Sequence, residues 1–277
     1  MVVRLTSEQW LNGKIITANK KVVDGYVGIH THEFYEMEYI TSGSGIYMVN
    51  GTEYPAKPGT LFFMTPVDFH DVSAKNMERF SIRFSVNVCN PQYHSVLTAR
   101  NMPVAMQIKE ADKKVFEVWA EELVANVADD TFASLIINCI IAKINSITIK
   151  NSKPYMSPAG MAELYILAKF KDNPSLNEVA EYVGLAPSYF SALFKKTTGK
   201  NFREYVDNLR FEYAGKLLAF SDMTVSQICI ESGFDEYTNF MRRFKNHFGV
   251  SPGKYREKYK DRNSEKQSVM ADFTLVR

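Results

Sequence analysis

The residue pattern calls for an α+β protein of two domains, an antiparallel β-barrel with a helical pair first and an all-α double helix-turn-helix second. Three observations lead there. Short runs rich in Ile, Val, Tyr and Phe fill Gly25 to Val88, residues 150–160 break the periodicity with two prolines and a glycine, and a module written twice follows. At 277 residues the chain exceeds the usual size of a single core and is expected to divide. The expected parts are a first domain at 1–150, a linker at 151–160, a second domain at 161–262 and a weakly periodic tail at 263–277.

In the first half, Thr41-Ser-Gly-Ser-Gly45, Asn50-Gly51 and Lys57-Pro-Gly59 punctuate the strand-like runs. Gly45 to Tyr54 is expected to be a hairpin turning at Asn50-Gly51, a dipeptide that accepts the positive φ angles of a type I′ turn. Arg79 to Val86 alternates, with Phe80, Ile82, Phe84 and Val86 on one face and Arg79, Ser81, Arg83 and Ser85 on the other. Asp112 to Ala128 and Thr131 to Thr148 read as helices separated by Asp129-Asp130, the first carrying Val115, Trp119, Leu123 and Val127 at helical spacing. These two helices either pack on their own domain or form the seam of a homodimer.

His30, His32 and Glu36 share one parity on a strand, and His70 follows the Pro58-Gly59 and Pro66 turns. Together with Arg83 they are the candidate polar lining of a pocket to which Phe34 and Phe62 add apolar surface, a mixture suited to a small polar ligand such as a sugar. The alternative is a barrel filled by its own side chains. Imidazole and carboxylate also suit Zn, Fe, Ni or Mn.

The repeat carries the second half. Ser175, Glu178, Val179, Ala180 and Gly184 recur 49 residues later as Thr224, Gln227, Ile228, Cys229 and Gly233. Phe190, Phe194, Lys195, Gly199 and Tyr205 recur 50 residues later as Phe240, Phe244, Lys245, Gly249 and Tyr255, so the second copy has one extra residue at its turn. Ser175-Leu-Asn-Glu178 and Thr224-Val-Ser-Gln227 both have the capping-box form. The following glycine can take the left-handed conformation that ends a helix. A second helix then begins near Pro187 or Glu236 and buries its phenylalanines. Each copy is therefore a helix-turn-helix.

In that motif the second helix enters the major groove of DNA, and its solvent-facing residues read it. In the first copy these are Ser188, Tyr189, Ser191 and Ala192, with Lys195 and Lys196 further along; in the second they are Tyr237, Thr238, Asn239, Met241, Arg242, Arg243 and Lys245. Arg242 and Asn239 carry groups able to contact guanine and adenine edges bidentately, and the lysines suit phosphates. Charge agrees modestly: residues 151–277 hold 19 Lys plus Arg against 15 Asp plus Glu, whereas residues 1–150 hold 14 against 16.

The stretches SLNEVAEYVGLAPSYFSALFKKTTGKNFREYV, LRFEYAGKLLA and TVSQICIESGFDEYTNFMRRFKNHFGVSPGKYR resemble the AraC family of transcription regulators. The resemblance implies two helix-turn-helix subdomains joined by a rigid helix from Phe202 to Ala219, with both reading helices on one face of DNA about one helical turn, roughly 34 Å, apart. It further implies double-stranded DNA, a small-molecule effector, RNA polymerase and a second copy of the chain as partners. Cys229 stands where the family usually has alanine, and Ala192 where a longer polar side chain often reads bases, which leaves the first motif more to phosphate contact. The string from His30 to Glu36 is similar to those of the family's cupin-like sensor domains, and this likeness implies an effector held without a cofactor or catalytic metal. The competing reading is a metal-dependent cupin enzyme fused to a DNA-binding module.

Cys89, Cys139 and Cys229 have no paired or ligand-like spacing, as in reduced, cytoplasmic proteins. No stretch reaches about 18 uncharged apolar residues, so no membrane association is expected.

Overall fold

The computed structural model describes residues 3–5, 11, 14–93, 97, 102–148 and 158–259. The predicted tail at 263–277 and residues 151–157 of the predicted linker lie outside the described residues.

The first half is a seven-stranded sheet: β1 (Val3–Leu5), β2 (Ile16–His32), β3 (Tyr35–Val49), β4 (Thr52–Ala56), β5 (Thr60–Met64), β6 (His70–Phe84) and β7 (Ala105–Gln107). The order is β1-β2-β6-β3-β5-β7, with β4 paired to β3. Every pairing is antiparallel except that of β1 with β2, a departure from the expected all-antiparallel arrangement. Central β6 lies between β2 and β3, so Arg83 stands opposite both Thr17 and Glu36, and Ser81 opposite both Asn19 and Glu38. The expected hairpin is present: Asn50 and Gly51, at φ 50° and 82°, link β3 to β4 in two residues.

Alternation along β6 holds as far as Phe84. Beyond it Ser85 accepts a hydrogen bond from the Asn87 amide, and Val86 opens a 3-10 turn instead of extending the strand. Phe80, Ile82 and Phe84 pack with Tyr35, Met37 and Leu61 under two helices, α1 (Glu110–Ala125) and α2 (Asp130–Thr148). The opposite row of Arg79, Ser81 and Arg83 is buried as well. Both faces of this part of the sheet are therefore covered, which alternation alone does not reveal.

The Asp129 carboxylate accepts from the amides of Thr131 and Phe132, at 3.0 Å each, and starts α2. The stripe α1 buries is Phe116, Ala120 and Leu123; Val115, on the expected stripe, faces out with Val118 because the sheet meets the adjacent face. By length and composition α2 could cross a membrane from Asp130 to Ile147, although that window carries Asp130 and Lys143 and is not an uncharged run. Its Ala133, Ile137, Ile140, Ile141 and Ile144 are instead buried in the sheet's core, and Lys143 pairs with Asp112 at 2.7 Å. That is the pattern of a core helix.

The second half is helical: α3 (Pro158–Lys169), α4 (Leu176–Tyr182), α5 (Pro187–Thr198), α6 (Phe202–Phe220), α7 (Val225–Glu231) and α8 (Tyr237–Phe248). Pro158 to Gly160, read from sequence as the end of the linker, form the first turn of α3, where proline's fixed φ fits and its missing donor costs nothing. Both capping boxes are complete. Gly184 and Gly233 take φ 70° and 80°, and the amides after them bond back to Ala180 and Cys229 at 2.9 and 3.0 Å, closing each first helix. Phe190, Phe194, Phe240 and Phe244 are fully buried in one core with Phe211 and Leu218 of α6.

One segment of the sheet domain joins that core. Phe69 lies with its ring centroid 5.8 Å from Tyr213 and 5.9 Å from Phe220, both on α6. Lys216 donates to the Val67 carbonyl at 2.7 Å and lies 3.8 Å from the Asp68 carboxylate.

Candidate nucleic-acid interface and effector site

The two second helices, α5 and α8, are presented alike. With Phe190 and Phe194, or Phe240 and Phe244, fixed inward, helical geometry turns Ser188, Tyr189, Ala192, Lys195 and Lys196 outward on α5 and Tyr237, Thr238, Arg242 and Lys245 outward on α8. Glu236 caps α8 by accepting from the amides of Thr238 and Asn239 at 2.9 and 2.8 Å. Arg242 donates to the Asn239 side-chain oxygen at 3.1 Å, so the two residues with base-reading groups are already paired. Ser191 of α5 and Asn239 of α8 line one cleft of about 590 Å³, so both helices border a common opening.

Two expected contact residues are placed differently. Met241 is half-buried against the helical core. Arg243 pairs with Asp207 of α6 and lies over the rings of Phe211 and Phe234, at 5.5 and 5.9 Å. Both flank the buried phenylalanine stripe, where a long side chain finds apolar surface or a partner on α6 before it reaches solvent.

In the sheet domain, His30, His32, Glu36, His70 and Arg83 come together, but not along one strand as the shared parity suggested: His30 and His32 end β2, and a bend at residues 33–34 puts Glu36 on β3. Glu36 is the hub. One carboxylate oxygen, Oε1, takes Arg83 Nε at 2.7 Å and the Ser81 hydroxyl at 3.2 Å; the other, Oε2, has His32 Nε2 at 3.4 Å and His70 Nε2 at 3.3 Å. Burial pushes the Glu36 carboxyl up, but the two imidazoles and the Arg83 charge outweigh it and hold the group well below the carboxylate range. Burial, with His70 beside it, lowers His30 to about 3, so that ring is neutral.

The ring contacts fix two tautomers. His30 Nδ1 lies 2.9 Å from the Gly28 carbonyl and His32 Nδ1 2.6 Å from the Phe34 carbonyl. A carbonyl only accepts, so each Nδ1 carries the hydrogen and each Nε2 of a neutral ring is a bare lone pair. Among the described residues, the buried His32 Nε2 and His70 Nδ1 have no hydrogen-bond partner. Phe34 stacks on His32 at 4.4 Å, whereas Phe62 stacks on Tyr47 at 3.9 Å within a separate apolar cluster.

Residues 22–96 match the AraC-like ligand-binding domain, and residues 179–258 match a helix-turn-helix domain. The uncharacterised regulator YfiF of Bacillus subtilis is 26% identical over 254 residues, which cover 84% of this chain and 80% of that protein. The chain belongs to the AraC family of transcriptional regulators. The regulatory protein PocR of Salmonella typhimurium is 31% identical over 153 residues, spanning half of each protein. A crystal structure of ToxT from Vibrio cholerae aligns with a TM-score of 0.41 at 15% identity, over 89% of this chain and 98% of that one.

This AraC-family chain also has interior groups that sequence reading left out. Arg79 pairs with Glu38 at 2.5 Å and with Tyr47, and Ser81 donates to Glu38 at 3.0 Å as well as to Glu36. Lys21, opposite Arg79 on β2, is lowered by burial and by the Arg79 charge. Thr17 Oγ1, Asn19 Oδ1 and Arg79 Nε are buried without partners among the described residues. The parity of Glu36 and Glu38, and of Arg79 and Arg83, was the available signal: the pairs space like charges two and four apart on one strand face. The Asp68–Lys216 contact joins residues 148 apart in sequence and left no local trace.

Proposed function

We propose that this regulator reads an operator through α5 and α8 and adjusts that reading when a small polar effector enters the sheet domain. The observation that carries the effector half is the row of buried polar atoms, Thr17 Oγ1, Asn19 Oδ1 and Arg79 Nε, without partners among the described residues on one face of β2 and β6. Orphaned buried donors and acceptors cost about 1–3 kcal/mol each, a cost that a hydroxyl-rich ligand such as a sugar would relieve. In this reading the sheet curls into a cupin-like barrel around that row, supported by the apolar cluster that brings Phe62 and Met64 of β5 together with Val72 and Met77 of β6. Its contacts to the effector are His30, His32, Glu36, His70 and Arg83.

On DNA, Arg242 and Asn239 read base edges, Tyr189, Tyr237, Thr238, Ser188, Ser191 and Ala192 lie along the grooves, and Lys195, Lys196 and Lys245 meet phosphates. A second copy docks on the outward faces of α1 and α2, where Val118 and Leu135 stand 46% and 61% exposed. The dimer works in the cytoplasm and meets RNA polymerase at the promoter. The segment Val67 to His70 transmits occupancy, since His70 faces Glu36 while Phe69 and Asp68 hold α6.

Thermal shifts with a panel of sugars and polar metabolites, followed by operator binding with and without each hit, test this function. A ligand at about 100 times its dissociation constant adds roughly 2.7 kcal/mol of stability. A hit that stabilises the protein and alters operator affinity supports the reading; a panel in which no stabilising compound changes DNA binding contradicts it.

A further inference from the structure

On the sheet face turned away from α1 and α2, directly paired side chains of β2, β6 and β3 form three rows. Thr17 and Glu36 flank Arg83, and Asn19 and Glu38 flank Ser81. In the third row Lys21 and Ile40 flank Arg79, so two cations stand together where each other row holds a carboxylate. We propose that Lys21 and Arg79 bind a carboxylate of the effector, which makes the effector a hydroxylated carboxylic acid of sugar size, an aldonic or uronic acid. The inference rests on the effector reading for the presence of a ligand and narrows its chemistry.

Charge is the first argument. Both carboxylates of these rows are taken, Glu38 by Arg79 at 2.5 Å and Glu36 by Arg83 at 2.7 Å. Lys21 has no ion pair among the described residues. Burial and the Arg79 charge lower it in spite of Glu38 and Glu36, as expected of a cation short of a counter-charge.

Bond geometry is the second. Arg79 donates through Nη1 to both Glu38 and Tyr47, while its buried Nε has no partner among the described residues. Nε and Nη2 form the side edge of a guanidinium, which meets two carboxylate oxygens at once. An ordered water is the competing partner, and it would give no preference for acids.

The order of groups along β2 is the third. Asn19 and Thr17 follow Lys21 at two-residue steps of roughly 7 Å. Asn19 Oδ1 only accepts and Thr17 Oγ1 can do so, and both lack partners among the described residues, so hydroxyls reaching away from the carboxylate would satisfy them. Thr17, Asn19 and Lys21 are half-buried whereas Arg79, Ser81 and Arg83 are buried, which opens the row to a ligand from the β2 side.

The test titrates the full chain by calorimetry with gluconate, galactonate, glucuronate and galacturonate, each beside glucose or galactose as its neutral parent, and measures operator affinity with every compound that binds. An acid should bind about tenfold or more tightly than its parent. Lys21→Met should bring that preference close to unity and Lys21→Arg should retain it, with far-UV circular dichroism reporting that each variant is folded. A neutral sugar that binds as tightly as its acid, a panel in which no acid binds, or an undiminished preference in folded Lys21→Met would overturn the proposal. A neutral metabolite that stabilises the chain and alters operator affinity overturns the acid assignment and leaves the effector reading standing. An acid that binds through Lys21 without altering operator affinity supports the site and counts against the effector reading.

Discussion

Gly184 and Gly233 occupy the same turn in the two copies, yet replacing each with alanine should cost different amounts. Both have positive φ, where an alanine is strained by about 1–2 kcal/mol. At Gly184 a new Cβ meets nothing within 4 Å. At Gly233 it would lie 2.6 Å from the Lys171 carbonyl oxygen, 2.9 Å from Lys171 Cα and 3.0 Å from Arg210 Nε. Two of these are backbone atoms, and the third belongs to a buried guanidinium that donates to the Phe170 carbonyl at 2.6 Å. No flexible tip can move aside, so overpacking adds about 1–3 kcal/mol. Gly184→Ala should therefore cost about 1–2 kcal/mol and Gly233→Ala about 2–5 kcal/mol. Urea unfolding followed by far-UV circular dichroism measures both in the full chain. Equal losses, or a larger loss at Gly184, would refute the packing of the second turn against Lys171 and Arg210.

Arg242→Ala should relax preference at one base position, whereas Lys195→Ala should weaken all sequences alike and lower the salt slope by about one unit; selection on randomised operators and salt titration report the two separately. Lys216→Met should leave Asp68 buried without its cation and loosen Val67 to Phe69 from α6, so effector and operator affinities become less coupled; titrating operator affinity against effector in variant and wild type measures this. Burial raises the Asp71 carboxyl to about 6, so the folded chain keeps a proton that the unfolded chain releases near pH 4. The folded state thus loses stability as pH rises from about 4 to 6, and the urea midpoint of Asp71→Asn should gain on wild type across that window; a constant difference would contradict the assignment.

Local signals made the helical half readable. The capping boxes, the turn glycines and the buried phenylalanines each lie within about one turn of the atoms they serve, so spacing along the chain is spacing in the fold. Met241 and Arg243 went astray because periodicity gives the direction of a side chain, not what waits there, and Asp207 and Phe211 come from another helix. In the sheet, His30, His32, Glu36, His70 and Arg83 were singled out by residue type and spacing, but it is the pairing of β2 and β3 with β6 that assembles them. Glu38, Arg79 and Tyr47 were missed because alternation assigns a charged row to solvent, and only the three-dimensional cover over that face buries it. Val115 was misplaced for a related reason: α1 is apolar over more of its circumference than the sheet covers. The Asp68–Lys216 contact depends wholly on how the two halves meet.

The central claim is that α5 and α8 enter successive grooves on one side of a duplex. Hydroxyl-radical footprinting of the full chain on a selected operator tests it directly. Two protected patches per protomer, on the same face and about 10 base pairs apart, are the predicted result. A single patch, or two patches on opposite faces, would contradict it.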